Sequence, residues 1–174
     1  LNYLRLARVN LPAARLVCGD AHRLPYASGV FDACMCHFFL MWVNAPTALS
    51  EMHRVTRPGG WILALAEPDY GGRIDFPAEL GRIGRLQAQA LRRQGAEPEI
   101  GRRLIGLFLE AGLDEVRCGV IGGEWTGDRS PASLESEWQV IHADLHDLAS
   151  KKDLRDWYLL DRAASANGSR MLFV

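Results

Sequence analysis

Three short apolar runs stand out in the first 67 residues, and turn or helix signals alternate with them. The runs cover residues 15–18, 31–37 and 61–66, and polar, glycine or proline residues follow each one where a strand should end. The second run has no polar alternation after Asp32, which predicts a central strand covered on both faces. This layout predicts a parallel α/β sheet with right-handed crossovers, helices on both faces, and loops that face a ligand.

Helical spacing accounts for most of the remaining chain. Residues 2–9 predict a short helix that ends before a proline. A second helix begins at Asn44 or Ala45 with Pro46 in its first turn, where a missing N–H costs little. Arg57-Pro58-Gly59-Gly60 ends it.

The second half of the chain is predicted to be more helical than the first. The spacing of apolar residues predicts helices over 77–93, 98–111, 131–149 and 150–166, and a strand over 113–121. Ser150 and Asp153 resemble a capping box, and Gly112 and Gly168 mark two helix ends. The final residues, 171–174, resemble the middle of a strand.

Composition narrows the class of protein. A chain of 174 residues with 48% hydrophobic and 24% charged residues fits one globular domain. The net charge of −1 gives no long-range attraction to nucleic acid or to an acidic membrane. No apolar run reaches the ~18–20 residues of a membrane span, and residues 1–17 do not form a secretion signal. Four cysteines in apolar runs (18, 34, 36 and 118) predict buried thiols in a reduced, cytoplasmic setting.

An ordered set of motifs carries a family resemblance. The set is Gly19-Asp20-Ala21 with Leu24-Pro25, then Phe31-Asp32, Leu40-Met41-Trp42, and Arg54-Val55-Thr56-Arg57-Pro58-Gly59-Gly60. These motifs cover about a third of the chain, and together they resemble the class I S-adenosylmethionine-dependent methyltransferases, in particular the ubiquinone/menaquinone-biosynthesis type. The resemblance implies a Rossmann-like sheet, S-adenosyl-L-methionine as cofactor, and a small-molecule methyl acceptor.

The resemblance implies a cofactor site made of Asp20, Ala21, His37 and Phe38. A carboxylate can accept from the adenine amino group, and a neighbouring N–H can donate to the ring, so Asp20 and Ala21 take those roles. His37 and Phe38 follow the next strand, where an aromatic ring favours a sulfonium. Each residue also has a structural interpretation: Asp20 as a turn residue, His37 as a structural histidine, and Phe38 as core packing.

The acceptor side is assigned to Trp42, Glu67, Tyr70 and Arg73. Residues 67–73 follow the third strand on the ligand-facing edge, although a polar turn with a glycine hinge explains them equally well. Trp42 has core packing as its alternative. Methyl transfer needs an aligned acceptor and, for some acceptors, a base. The candidate bases are His37, Glu67, Asp69, Tyr70, His142 and His146, and no catalytic residue is singled out.

Two other clusters favour structural interpretations. His142 and His146 have a spacing that metal sites use, but a solvated helix surface explains them better. Cys34 and Cys36 beside His37 are better explained as packed strand residues, so no metal is predicted. Arginines at 82, 85, 92, 93, 102 and 103 could attract an anionic acceptor but are more typical of a solvated helical face.

The chain also departs from the family pattern. No Gly-x-Gly occurs in it, and the acidic residue that binds the ribose hydroxyls in this family has no counterpart. We therefore expect a single methyltransferase-like domain over 1–174 that is truncated at both ends, with helical insertion or lid segments at about 77–111 and 131–166. The full-length protein is expected to be the enzyme, and this chain alone to be inactive.

Two other functions compete with this interpretation. One is a non-catalytic methyltransferase-like domain that serves binding or assembly. The other is a nicotinamide-linked oxidoreductase, which would need a Gly-x-Gly-x-x-Gly loop that these residues lack. The sequence does not indicate the oligomeric state.

The missing glycine loop generates a prediction about affinity. We expect the 174-residue chain to bind S-adenosylhomocysteine weakly or not at all, because only the adenine side of the site is present. Isothermal titration calorimetry measures this directly. A micromolar dissociation constant would contradict the prediction.

Overall fold

The computed structural model describes residues 2–120 and 130–173. In chain order its helices are α1 (Asn2–Asn10), α2 (Ala45–Val55), α3 (Gly81–Arg93), α4 (Leu104–Glu110), α5 (Pro131–Leu145) and α6 (Lys151–Ala166). Its strands are β1 (Phe31–His37), β2 (Thr56–Leu65), β3 (Ile74–Phe76) and β4 (Met171–Phe173). Short 3-10 helices cover Leu40–Trp42, Ala78–Leu80 and Ile100–Arg103.

The strands β1 and β2 form a parallel pair joined by α2. Their register runs from Ala33 opposite Trp61 to His37 opposite Leu65. This confirms the predicted strand–helix–strand unit and the α/β class. Between Phe31 and Ala33 the register shifts, because residues 57–60 bulge out of β2.

Local chemistry explains where α2 begins and ends. Asn44 is its N-cap, and the Asn44 side chain accepts the Thr47 N–H at 3.1 Å. After the helix, Gly59 adopts a φ of +75°, which favours glycine. A Cβ on Gly60 would lie 2.6 Å from Cγ2 of Thr56, so the bulge at the start of β2 requires a glycine there.

Helices cover only one face of the parallel pair in the described part of the chain. That face joins Cys34, Cys36, Ile62 and Ala64 to a buried cluster, here termed the first core, of residues 40, 41, 45, 48, 49, 52, 91, 96, 100 and 107. On the other face the side chains of Met35 and Trp61 are 64% and 65% exposed. The prediction of a strand covered on both faces is therefore wrong for β1.

A second core lies among the later helices. Its buried members are residues 80, 83, 134, 138, 141, 145, 154 and 157. The helix α3 contributes Ile83 to this core and Leu91 to the first. One helix therefore ties the two clusters together, and the predicted apolar faces of the helices over 77–93 and 131–149 are confirmed.

Buried charges join β3 and β4 to this second core. Arg73 contacts Asp75 at 2.7 Å, and Arg170 contacts the other oxygen of Asp75 at 2.9 Å. Arg170 also pairs with Asp161, whose second oxygen accepts the Trp138 indole N–H at 2.7 Å. Each of the four charged side chains is no more than 6% exposed. Two positive and two negative charges therefore balance inside the protein.

Two predicted strands are wrong. Residues 15–18 form no strand, because no strand in the described part of the chain pairs with them, and Val17 is 52% exposed. Residues 113–120 form none either, because Glu115 adopts a φ of +52°, outside extended geometry. Residue 121, the last of that predicted strand, lies outside the described residues.

The final strand and several helix ends agree with the sequence patterns. The strand predicted at 171–174 is confirmed as β4 for residues 171–173, but it pairs antiparallel with β3, a strand the sequence did not predict. Ser150 caps α6 by accepting the Asp153 N–H, and Gly168 ends that helix with a φ of +72°. The predicted helix over 98–111 divides into a 3-10 segment and α4.

The cysteines differ from the prediction of buried thiols. Cys18 and Cys118 are exposed, because the segments around them are not strands, and Cys34 and Cys36 are half-buried. Among the described residues, no helix has the length and apolarity that a membrane crossing requires.

The buried charge network generates a stability prediction. In Asp75→Asn the two buried arginines keep only Asp161 as a negative partner, so one positive charge is uncompensated. We therefore expect the substitution to lower the free energy of unfolding by about 3–5 kcal/mol. Urea denaturation measures the change. Asp32→Asn is the matched control, because Asp32 is 86% exposed in its pair with Arg57 and such pairs contribute about 1 kcal/mol or less. Equal effects in the two variants would contradict the prediction.

Candidate functional site

The carboxyl ends of β1 and β2 lie at the same edge of the sheet because the strands are parallel. The last residues paired in the register are His37 and Leu65. From there residues 38–44, here termed the edge loop, lead into α2. Ligands of α/β proteins bind at this edge, so the residues that form it determine which ligand the protein can bind.

Glu67 fixes the edge loop from the side of β2. Its Oε1 accepts the Phe39 N–H at 2.8 Å and the Leu40 N–H at 3.0 Å, and its Oε2 accepts the Met41 N–H at 3.4 Å. These are the free donors at the start of a 3-10 helix, where a carboxylate is favourable. The carboxylate of Glu67, which was assigned to the substrate side, therefore binds the backbone of the edge loop.

Left-handed backbone accompanies this contact. Phe38 has a φ of +49° and Ala66 a φ of +53°, so each strand ends in a conformation that is uncommon for residues other than glycine. The Phe38 N–H donates to the Leu65 carbonyl at 3.0 Å, which joins the two turns. Such backbone persists where surrounding contacts determine it, and it clusters at functional sites.

The thiol of Cys36 lies under the same carboxylate. Its Sγ is 3.9 Å from Oε1 of Glu67. Burial, followed by the Glu67 charge, raises the pKa of Cys36 to about 12. This thiol therefore stays protonated at neutral pH and is not a nucleophile.

Asp20 lies in a loop that His22 organises. Oδ1 of Asp20 accepts both the backbone N–H and Nδ1 of His22, each at 2.9 Å. These hydrogen bonds, the backbone one first, hold the pKa of Asp20 below its usual value. The side chain is 67% exposed. Asp20 thus caps its own turn, as the structural interpretation requires, and still presents a charged carboxylate to solvent. Its role toward adenine stays a prediction. The same holds for Ala21, which is half-buried.

The loop after Asp20 is fastened to α2 by hydrogen bonds from two side chains of that helix, which also pair with each other. Arg54 contacts Glu51 at 2.7 Å and also donates to the carbonyls of Leu24 and Tyr26. Glu51 in turn accepts the Leu24 N–H at 2.8 Å. The hydrogen bond from Arg54 lowers the pKa of Glu51 to about 2. The pair stays charged at neutral pH and sets the distance between this loop and the helix.

The aromatic residues of the edge loop remain accessible. Phe38 is 40% exposed and Trp42 is 42% exposed, so core packing does not explain either ring. His37 is exposed at the end of β1. All three lie at the predicted ligand edge, and their assignment to cofactor or acceptor stays a prediction.

The remaining acceptor-side candidates are engaged elsewhere in the protein. Tyr70 packs against the first core, where burial raises the pKa of its hydroxyl, and the guanidinium of Arg73 lies 6.0 Å from its ring centroid. Arg73 belongs to the buried charge network. Asp69 binds Arg102 at 2.7 Å, which lowers its pKa. Arg73 and Asp69 therefore have structural partners, and their roles toward an acceptor stay predictions.

Structural interpretations fit the other clusters. Within the described ranges no group of His, Cys, Asp and Glu could hold a metal ion, and His142 and His146 are exposed. In the basic region, Arg92, Arg102 and Arg103 each pair with a carboxylate. The solvated helical face is the better description of these arginines.

Sequence reasoning missed three residues that build the site. His22 links the loop of Asp20 to Asn44, and Glu51 with Arg54 fastens the same loop to α2. The spacing of Glu51 and Arg54 on one helix face was a usable signal for their mutual contact. No local pattern reveals that both reach a loop more than 20 residues away.

Comparisons with known proteins find a family match in the first third of the chain. Residues 2–64 match the family described as methyltransferase domain. An uncharacterised 37.1 kDa protein in a transposon of Streptomyces fradiae is 40% identical over 108 residues, which are 60% of this chain and 30% of that protein.

Two further relatives carry functional names. A demethylmenaquinone methyltransferase of Streptomyces avermitilis is 44% identical over 64 residues, 36% of this chain and 28% of that protein. A malonyl-[acyl-carrier protein] O-methyltransferase of Erwinia pyrifoliae is 41% identical over 61 residues, 34% of this chain and 23% of that protein. The matches span less than a third of these three curated relatives. They confirm the resemblance to class I methyltransferases of the ubiquinone/menaquinone type.

The Glu67 contacts generate a prediction that tests whether this carboxylate has a structural role rather than the role of a base. Glu67→Ala removes the acceptor of three N–H groups, so we expect the free energy of unfolding to fall by about 2 kcal/mol and the amides of residues 39–41 to exchange at least about tenfold faster. Glu67→Gln keeps one carbonyl oxygen and should retain most of the protection. Hydrogen exchange measured by NMR reads each amide.

The control is Glu110→Ala, an exposed carboxylate at the end of α4. It should leave exchange in the edge loop unchanged. Unaltered exchange of the three amides in Glu67→Ala would show that the carboxylate does not hold this loop.

Proposed function

We propose that this protein is an S-adenosylmethionine-dependent methyltransferase with a Rossmann-like fold that acts on a small-molecule acceptor. One observation carries the proposal. The loop of Asp20, the edge loop and Glu67 are hydrogen-bonded into one assembly at the carboxyl edge of a parallel pair. The two loops lie within residues 2–64, which match the methyltransferase domain. This is the edge where α/β proteins bind ligands.

The chemistry of the exposed groups fits the adenosyl end of the cofactor. Asp20 offers a charged acceptor for an exocyclic amino group, and the pKa of its carboxyl is held low, so it stays ionised. Phe38, directly after β1, offers an accessible ring that is suited to stacking or to a positively charged sulfur. Ala21 and His37 complete the proposed set. S-adenosylmethionine itself supplies an electrophilic methyl group on its sulfonium.

The acceptor is proposed to lie over Trp42 and Tyr70. Both aromatic residues belong to the elements that follow the carboxyl edge, and Trp42 is accessible. Glu67 and Arg73 are proposed to act on this side through the backbone and the network they hold. No base is assigned, because the candidate carboxylates Glu67 and Asp69 already have partners.

The later helices are proposed to belong to the same single domain and to enclose the acceptor. Within the segment at about 77–111, α3 reaches both cores, and the second of these cores also contains residues from the segment at about 131–166. A closed site would exclude water from the reacting methyl group. The relatives named above are a demethylmenaquinone methyltransferase and a malonyl-[acyl-carrier protein] O-methyltransferase, so demethylmenaquinone and malonyl-[acyl-carrier protein] are the first acceptors to test.

The proposal is tested by methyl transfer from labelled S-adenosylmethionine in the full-length protein, with demethylmenaquinone and malonyl-acyl-carrier protein as acceptors. We expect label in one acceptor. Asp20→Ala should raise the KM for the cofactor about tenfold with little change in kcat, because it removes a charged acceptor from binding alone.

The matched control is Asp32→Ala, an exposed aspartate in β1 whose side chain pairs with Arg57. It should leave the KM unchanged. Cofactor binding without transfer to any acceptor would instead support the non-catalytic binding domain, and absence of binding in the full-length protein would overturn the proposal.

A further inference from the structure

His22 makes one contact with each ring nitrogen, and the two contacts lie on opposite sides of the ring. Nδ1 lies 2.9 Å from Oδ1 of Asp20, and Nε2 lies 3.1 Å from the backbone nitrogen of Asn44. A backbone N–H can only donate, so Nε2 accepts. The proton of the neutral ring therefore sits on Nδ1 and is donated to the carboxylate, and a single tautomer satisfies both contacts.

The Asn44 contact ties the loop to a rigid element. Asn44 is the N-cap of α2, and its side chain accepts from Thr47, with the N–H at 3.1 Å and the hydroxyl at 2.8 Å. Because Asn44 is held at the start of α2, its hydrogen bond with His22 fixes the position of the loop relative to that helix. His22 thus transfers the fixed position of α2 to Asp20.

The Asp20 contact determines which oxygen is left for a ligand. Both hydrogen bonds from His22 end on Oδ1. Since a carboxylate is planar, holding Oδ1 from two donors also sets the direction of Oδ2. The side chain is 67% exposed, and without these bonds it would sample several rotamers.

We infer that His22 is a positioning residue for cofactor binding, which fixes Oδ1 of Asp20 against α2 and leaves Oδ2 to accept from the adenine amino group. This inference rests on the proposed function for its ligand. The relay from Asp20 through His22 to Asn44 stands on the geometry alone. The experiment therefore measures the relay and the ligand separately.

Two substitutions separate the two nitrogens. In His22→Asn the side-chain amide nitrogen can replace Nδ1 as donor to Asp20, but no atom reaches Asn44. In His22→Gln the amide oxygen can replace Nε2 as acceptor for Asn44, but the donor to Asp20 is lost. His22→Ala removes both contacts, and His146→Gln, an exposed histidine at the end of α5, is the matched control.

The relay is read by NMR. We expect the Asn44 amide to stay protected from exchange in His22→Gln and to exchange about tenfold faster in His22→Asn and His22→Ala. We expect the pKa of Asp20 to stay low in His22→Asn and to rise part of the way toward its usual value in the other two. The rise is partial because the His22 backbone N–H remains. Equal Asn44 exchange in the wild type and all three variants would overturn the relay.

The positioning role is read by titrating each variant of the full-length protein with S-adenosylhomocysteine and following the chemical shifts, because the 174-residue chain alone is expected to bind this ligand weakly. Affinity should stay within about twofold in His22→Asn and in the control, and fall about five- to tenfold in His22→Gln and His22→Ala. Equal losses in His22→Asn and His22→Gln would overturn the positioning role. If the wild type shows no binding, the positioning role fails together with the ligand assignment, while exchange and pKa still decide the relay.

Discussion

The ends of the two parallel strands depend on one carboxylate. Glu67 lies just past β2, yet its oxygens accept from three consecutive N–H groups beyond β1. These contacts hold the turn that places Leu40 and Met41, which are 0% and 1% exposed, in the first core. The same turn directs Phe38 and Trp42 outward. This one side chain thus connects the packing of the first core to the surface on which a ligand is proposed to bind. The three backbone N–H groups supply the hydrogen bonds that its half-buried carboxylate needs.

A second set of charges organises the later part of the chain. Arg73, Asp75, Asp161 and Arg170 join β3, α6 and the segment before β4 around an interior that is otherwise apolar. Removing such charges from water is costly, and the cost is offset only when every partner is in place. The network therefore favours one arrangement of these elements over other packings of the same helices. Because α3 reaches both cores, that arrangement also fixes how the later helices lie against the sheet.

The elements that the sequence predicted well are those specified by nearby residues. The start of α2 at Asn44 or Ala45, the cap at Ser150 and the apolar stripe of α5 are local signals, and each was confirmed. The segment at 15–18 failed because a strand needs a partner, which apolar character alone does not supply. The short β3 gave no signal, since three residues show too little alternation.

The candidate site follows the same division. Asp20 could be singled out from its motif, but its partner His22 could not, because the contact with Asn44 spans 22 residues. Glu67 was assigned to the substrate side because it follows the third predicted strand on the ligand-facing edge. Its actual partners are backbone groups 26–28 residues away, and every sequence carries such groups.

The open face of the parallel pair has a consequence for the protein as a colloid. Met35, Trp61 and Leu63 present a contiguous apolar surface on two adjacent strands, and each is at least 40% exposed. The free energy falls when such surfaces meet, because the water released from them gains entropy, and strands with exposed apolar side chains offer a template for further strands. Self-association will therefore grow with protein concentration and with salts that strengthen the hydrophobic effect, and the indole emission of Trp61 will shift to the blue as that face becomes covered.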